Sequence, residues 1–364
     1  MTKQNGDNKE DYYPPSRRTR KEEEQSAHRR VKKKHHKIWV TLLILLLILI
    51  AGGATYGYHM FHSTKNTIEK TYTKTNVKKL RNVAQVLKDK KPFSILIMGT
   101  DTGDLGRTYK GRTDTLILAT LNPKQKEVTL TSIPRDTQVH VPDSQNSYDK
   151  VNAAYTIGGP STTIETIQKT LDVPIDYYLL VNMGGLRKIV DAIDGVTVTP
   201  TLTFKYDKVN VKKDKTIKLN GQQALSYSRM RYDDPEGDYG RQKRQKQIIT
   251  AIIKKALSVS TLAAHYDDML KSVEPNIKTD LTYDDMLAIA TNYRSSGKKI
   301  DSYVLQGEDA MIDGSAYQVA TPEEKQKTSN NIRKHLGLEN STKNFNDTTN
   351  TNQYYSNYNY DLTE

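Results

Sequence analysis

The 364-residue chain contains no cysteine. Disulfides, thiolate nucleophiles and cysteine-based metal centres are therefore excluded from its chemistry. Histidine offers little more: His140 and His265 stand alone, and His35 and His36 lie in a basic tail. There is no HExxH helix, no Gly-x-Ser-x-Gly elbow and no P-loop, so three common hydrolase chemistries lack their signatures. Hydrophobic residues make up only 35%, because both ends are polar while the middle carries the apolar runs. Positive charge is abundant, with a formal net charge of +13. Such an excess favours polyanionic partners: phosphates, anionic lipid or nucleic acid.

Residues 1–37 hold twelve Lys/Arg against six Asp/Glu and almost nothing apolar, and read as a disordered basic tail. Uncharged residues 38–58, IWVTLLILLLILIAGGATYGY, follow. This run is long enough to cross a hydrocarbon core of about 30 Å. A cleaved signal peptide fits less well, because both the leading basic segment and the apolar run are too long. Dense Lys/Arg before the span predicts a cytoplasmic N-terminus and an extracellular remainder, anchored by a single pass. Much of the net charge then serves orientation. Outward topology and the lack of a nucleic-acid-binding module argue against nucleic acid as a partner.

Residues 59–91 read as an extracellular stalk and residues 92–321 as the folded domain, with its core at 93–257. Continuous apolar runs starting at Phe93, Asp114 and Glu127 predict buried strands, and further strands are expected at 177–181, 195–199 and 300–306. Amphipathic patterns predict helices at 161–171, 183–193, 238–257, 260–272 and 282–294. Alternation of this kind implies an α/β fold, a mixed sheet covered on both faces. From Pro322 the chain turns polar and becomes an Asn/Thr/Tyr-rich tract, so residues 322–364 read as a disordered tail.

The most charged stretch is SRMRYDDPEGDYGRQKRQKQ, residues 228–247. Arginine suits planar, two-pronged contact with phosphate. Asp238, Arg241 and Gln245 share one helical face at spacings i, i+3 and i+7. A solvated charged face is the plain alternative, and the Arg-x-Arg pair beside the turn-forming Asp-Pro-Glu-Gly favours an anion site instead. Three strand-end loops add Gly99-Thr-Asp101, Gly111-Arg112-Thr-Asp114 and Ile133-Pro-Arg135-Asp136. Two carboxylates, Asp101 and Asp114, without His or Cys suit a hard cation such as Mg²⁺ that also takes phosphate oxygens. Arg112, Arg135, Arg229, Arg231 and Arg241 then act as electrostatic clamps, and Lys150 and Asn152 add a cation and an amide before a helix.

The motifs ILIMGTD, GRTDTLILAT, VTLTSIPRDT, KVNAAYTIGG, DYYLLVN and LNGQQALSYSRMRYDDPEGDYGRQKRQKQ fall in order within about residues 93–257. Together they resemble the LytR-CpsA-Psr family of Gram-positive envelope proteins. The resemblance implies a three-layer α/β/α sandwich with a central mixed sheet, preceded by one transmembrane helix, with an interior tunnel for a lipid tail. It implies a phosphotransferase that joins a polyprenyl-pyrophosphate-linked glycopolymer, teichoic acid or capsule, to peptidoglycan. By the same resemblance Asp101 and Asp114 hold the metal and serve catalysis with Arg135. The pyrophosphate falls to Arg112, Arg135, Lys150, Arg229, Arg231, Asp238, Arg241 and Gln245. Two alternatives remain: a non-catalytic, membrane-anchored binder of polyprenyl phosphates, and a pyrophosphatase using water as acceptor.

Overall fold

The run Phe93-Ser-Ile-Leu-Ile-Met-Gly-Thr has apolar side chains on both sides of its pleat, a pattern stable only where both sheet faces are covered. In the computed structural model, which describes residues 70–100, 111–144, 148–256 and 276–346, this run is β1 (Phe93–Thr100). The chain divides into two units, Met1–Ser63 and Thr64–Glu364, and every described residue belongs to the second. The expected span at 38–58 lies outside the described residues, and among those described no helix is long and apolar enough to cross a membrane.

β1 pairs antiparallel with β2 (Thr113–Asn122) and parallel with β6 (Tyr177–Asn182). β2 continues antiparallel into β3 (Glu127–Ser132). β11 (Ile277–Thr279) closes one edge and β12 (Lys299–Val304) the other, giving the order β11-β6-β1-β2-β3-β12. This is the central mixed sheet expected from the sequence. On one face Leu96, Leu116, Leu118 and Tyr178 meet α2 (Ala153–Leu171) through Ile164 and Ile167, and α7 (Pro322–His335) through Ile332. On the other face Ile117, Ala119 and Leu130 meet Ile249 of α5 (Gly237–Ala256). There too, Phe93 and Tyr177 meet α1 (Val83–Lys88) and α6 (Tyr283–Asn292). A second core joins α3 (Met183–Ala192) and α4 (Gly221–Arg229) to two short antiparallel pairs, Val196–Val198 with Ile217–Leu219, and β8 (Phe204–Tyr206) with β9 (Val209–Val211). The strand expected at 195–199 is β7 (Val196–Val198), which pairs with β10 (Ile217–Leu219) instead of entering the main sheet.

α2 begins earlier than its apolar pattern suggests. Its two segments meet at Gly159, where φ is 69° and ψ is −149°, a conformation open to glycine. Pro160 follows at the start of the second segment, where a missing N–H costs nothing. The expected helix at 260–272 lies outside the described residues.

Two expectations for the ends are corrected. The stretch read as a stalk is part of the domain from Lys70 onward: Tyr72 bridges to Thr279, and Tyr178 Oη donates to the Thr73 carbonyl at 2.8 Å. The physical reason is charge. Asp176 and Asp280 are buried at the sheet edge, and Arg81 and Lys79 supply their counterions. The tail read as disordered from Pro322 is ordered through Asn346. Thr321 caps α7 by accepting from Glu324 N at 3.2 Å, Pro322 sits in the first turn, and Gly337 stops the helix with φ 68°. Ile332, Leu336 and Phe345 are buried although the surrounding composition is polar.

Lys246 of α5 is 6% exposed, and its Nζ lies 3.3 Å from the Tyr303 carbonyl. Burial, with a smaller push from Lys243, lowers its pKa to about 8. Lys246→Met is expected to stabilise the fold at pH 7 by roughly 2 kcal/mol, since the protonated amine is disfavoured inside. Between about pH 8 and the ordinary value of 10.5, the folded chain has released a proton that the unfolded chain keeps. Wild-type stability therefore gains relative to the variant as pH rises through that window. Denaturant unfolding of both proteins at pH 7 and pH 10 checks the sign.

Candidate active site

The site begins with an irregularity in β2. Gly99 pairs with Thr115 and Thr100 with Thr113, so Asp114 has no partner across the ladder and forms a β-bulge. Bulges re-aim side chains at the ends of strands. A Cβ on Gly99 would approach Thr115 Cβ at 3.0 Å, so a small residue suits this crossing. Asp114 accepts from Arg135 Nη1 at 2.5 Å through Oδ1. Arg135 follows β3 in a turn whose carbonyl accepts from Asn152 N at 3.2 Å, and its Nε lies 3.4 Å from Asp136. Asp136 also meets Lys150 Nζ at 3.1 Å, at the end of β5 (Tyr148–Lys150).

The second half comes from the arginine-rich stretch. α4 starts with a capping box, in which Asn220 and Gln223 each satisfy the other's backbone N–H, and ends at Arg229. The connection to α5 is tied by Arg244, which is 2% exposed. It bonds the Asp234 carboxylate and the Met230 carbonyl, reaches the Tyr227 carbonyl at 3.2 Å, and lies over the Phe204 ring. Arg244 therefore holds the loop together. Gly240 is required beside it, because a Cβ there would come within 1.9 Å of the Asp234 carboxylate. Asp238 opens α5, its Oδ1 2.6 Å from Arg241 Nη2, and its Oδ2 accepts from Gln242 Nε2 at 3.1 Å.

Arg241 is 7% exposed, and its Nε and Nη2 make no hydrogen bond; Arg135 Nε is in the same condition. The close approach to Asp238 is thus an ion pair by distance without hydrogen-bond alignment. Burial pushes the Arg241 guanidinium below its ordinary value; Asp238 and Asp114 resist this, and Arg135 and Arg231 add to it by repulsion. For Arg135, burial also opposes the charge, but Asp114, Asp136 and Asp238 outweigh it and hold the guanidinium above its ordinary value. These mutual effects bring Asp114, Arg135, Arg231, Asp238 and Arg241 into one electrostatic neighbourhood. Six cations (Arg112, Arg135, Lys150, Arg229, Arg231, Arg241) and three carboxylates (Asp114, Asp136, Asp238) make up these nine residues, a net +3 among them. Buried donors without acceptors represent unspent interaction for an anion.

An apolar cavity of about 210 Å³ opens at this cluster. Asp114, Ser228, Arg229 and Gln245 stand among its lining residues, with Leu179, Val181 and Leu186 of β6 and α3. α5 contributes Gln245, Ile248, Ile249, Ile252 and Ile253, one helical face whose first residue is polar and whose others are isoleucine.

The LytR_cpsA_psr family profile matches residues 55–334. The chain belongs to the LytR-CpsA-Psr family. Among its curated relatives is the "polyisoprenyl-teichoic acid--peptidoglycan teichoic acid transferase TagU" of Enterococcus faecalis, 42% identical over 280 residues, covering 77% of this chain and 91% of that one. The crystal structure of B. subtilis TagU is similar with TM-score 0.54 and 39% identity, over 68% of this chain and 97% of the other. A structure of TagT bound to LI-WTA gives TM-score 0.57 and 29% identity, over 69% and 92%.

Of the residues singled out in the sequence of this family member, Asp114, Arg229 and Gln245 line the cavity. Arg135, Arg231, Asp238 and Arg241 form the adjoining charged cluster. Lys150 joins through Asp136, and exposed Arg112 lies just ahead of the bulge. Asp101 lies outside the described residues. Among the described residues no group of three or more His, Cys, Asp or Glu is arranged to hold a metal ion. Sequence reasoning left Asp136, Gln242 and Ser228 out of the site. Gln242 had a signal, its i+4 spacing from Asp238, whereas Asp136, named with its strand-end loop, carried no pattern that assigned it a role.

Proposed function

We propose that this chain transfers an anionic glycopolymer of the teichoic acid class from a polyprenyl diphosphate to peptidoglycan as a phosphodiester. The observation that carries the reading is one juxtaposition: an apolar cavity whose mouth meets buried guanidinium groups with unpartnered N–H donors. That pairing suits an amphiphile with an apolar tail and a head of two phosphates. The names carried by its relatives point to the same chemistry.

In this reading a sugar hydroxyl of the acceptor attacks the phosphorus that bears the glycopolymer. A new P–O bond forms, the bridging P–O bond breaks and its oxygen departs with polyprenyl phosphate, and the hydroxyl proton passes to water. Arg135 and Arg241 neutralise charge gathering on the bridging and non-bridging oxygens, in a site where water is largely excluded. Arg229 and Gln245 hold the leaving phosphate at the mouth. Asp238 orients Arg241, as Asp136 orients Lys150. Asp114 on its bulge offers one carboxylate for Mg²⁺, which takes one or two carboxylates and fills its remaining positions with water and phosphate oxygens, and the family resemblance assigns Asp101 as the second. The ion supplies further charge neutralisation when bound.

The cavity itself can be tested. Ile252→Trp places a bulky ring among its lining residues and is expected to weaken binding of a C20 polyprenyl diphosphate at least tenfold, while affinity for inorganic pyrophosphate stays within twofold. Isothermal titration of the two ligands decides it, and equal loss for both ligands would refute a tail-binding role. Product analysis of the wild-type reaction, phosphodiester against free phosphate, separates transfer from hydrolysis.

A further inference from the structure

We propose that the hairpin of β13 (Glu308–Ile312) and β14 (Ser315–Val319) builds a carbohydrate subsite on the side of the cleft away from the cavity, with Tyr317 as the ring on which a pyranose stacks. This rests on the diphosphate reading above and follows from the order of groups along the sheet. The cavity opens beside β6 and β1. Asp114 is on the next strand, β2, and Arg135 and Asp136 follow the one after, β3. The hairpin is fastened at that third position. Gln318 N donates to the Asp136 carbonyl at 2.9 Å, and Thr137 and Gln318 form an isolated bridge. A substrate with its tail in the cavity and its phosphates at Asp114 and Arg135 therefore carries its sugar towards the hairpin.

A second fastening comes from the arginine-bearing helix. Tyr239, next to Asp238, donates its hydroxyl to Gln318 Oε1 at 2.6 Å and accepts from Gly307 N at 3.2 Å. The hairpin is thereby held to both halves of the phosphate site. Tyr317 on β14 is only partly buried. Lys150 Nζ lies 5.2 Å from its ring centroid, and Arg112, Asp136 and Asp149 are all near enough to act on its hydroxyl. Lys150 lies over one face of the ring, so stacking falls to the opposite face, where C–H bonds of a sugar meet the ring while its hydroxyls reach towards the charged groups around the Tyr317 hydroxyl.

The experiment uses the full chain in detergent with three probes: geranylgeranyl diphosphate, the same lipid diphosphate carrying N-acetylglucosamine, and a tetrasaccharide of the peptidoglycan glycan. Tyr317→Ala is expected to weaken binding of the sugar-bearing lipid about tenfold, the scale of one aromatic contact, and to leave the bare lipid diphosphate within twofold. Tyr317→Phe keeps the ring and retains wild-type affinity. The same loss seen as a raised KM for the tetrasaccharide, with donor affinity unchanged, assigns the ring to the acceptor's sugar. A Tyr317→Ala protein with a wild-type melting temperature and neither change overturns the subsite. A wild-type protein that fails to bind even the bare lipid diphosphate overturns the diphosphate reading, and the subsite with it.

Discussion

Replacing Arg241 with alanine is expected to lower kcat/KM for glycopolymer transfer about 10³-fold, with little change in melting temperature. Removal of a single preorganised donor at a site of developing charge costs on the order of 10²- to 10³-fold. Arg241 is at the upper end because two of its nitrogens are buried without an aligned hydrogen-bond acceptor. The same burial explains the spared stability. The folded state already disfavours this charge, and Arg135 and Arg231 repel it, so its removal relieves desolvation and repulsion that oppose the lost ion pair with Asp238. Asp238 keeps Gln242 as a hydrogen-bond donor. Arg241→Lys is expected to recover little, because an ammonium cannot reproduce a planar fork. Steady-state transfer kinetics, with a thermal melt of each variant, check both halves. Activity within tenfold of wild type would remove Arg241 from the chemistry.

The largest structural effect is expected at Asp176, which is 1% exposed. Its carboxylate accepts from Arg81 Nε at 2.7 Å, from Ser94 N at 2.8 Å and from Ser94 Oγ at 3.2 Å. Asp176→Ala leaves the Ser94 N–H without its acceptor and the Arg81 guanidinium without its counterion, with only the Pro92 carbonyl at 3.1 Å to accept from it. Breaking a buried pair from one side costs about 3–5 kcal/mol. In a domain of this size that corresponds to a melting temperature lower by roughly 10 °C. The double variant Asp176→Asn with Arg81→Met removes both charges together, and is expected to regain more than half of the loss. Urea denaturation of the wild type, the single variant and the double variant measures the recovery, and a double variant no better than the single would contradict a charge-driven origin.

β1, β2 and β3 were legible because central strands are apolar on both faces, a signal that short edge strands lack. α5 was equally plain, its isoleucines recurring at helical spacing behind Gln245. The bulge at Asp114 was not legible, because alternation looks normal on either side of it and only the pairing with Gly99 and Thr100 reveals the extra residue. Nor did composition separate Arg244 from Arg241, three residues apart on one helix. The Asp234 carboxylate draws Arg244 into the loop, and that contact depends on tertiary packing. The hairpin at 308–319 did carry a local mark that went unread: Asp313-Gly314, both with positive φ, is a strong two-residue hairpin turn. α7 was masked by its polar residues, although Thr321-Pro-Glu-Glu and Gly337 punctuate it at both ends.

The attachment of residues 70–81 to the sheet edge also has a mechanical meaning. A pull on the chain ahead of Lys70 arrives first at the Tyr72–Thr279 bridge and then at Lys79 and Arg81, clamped on Asp280 and Asp176. These anchors bear the load in series along β11 and β6. A force entering at Lys70 would have to tear them away before it could shear β1 from β2 and flatten the bulge that aims Asp114.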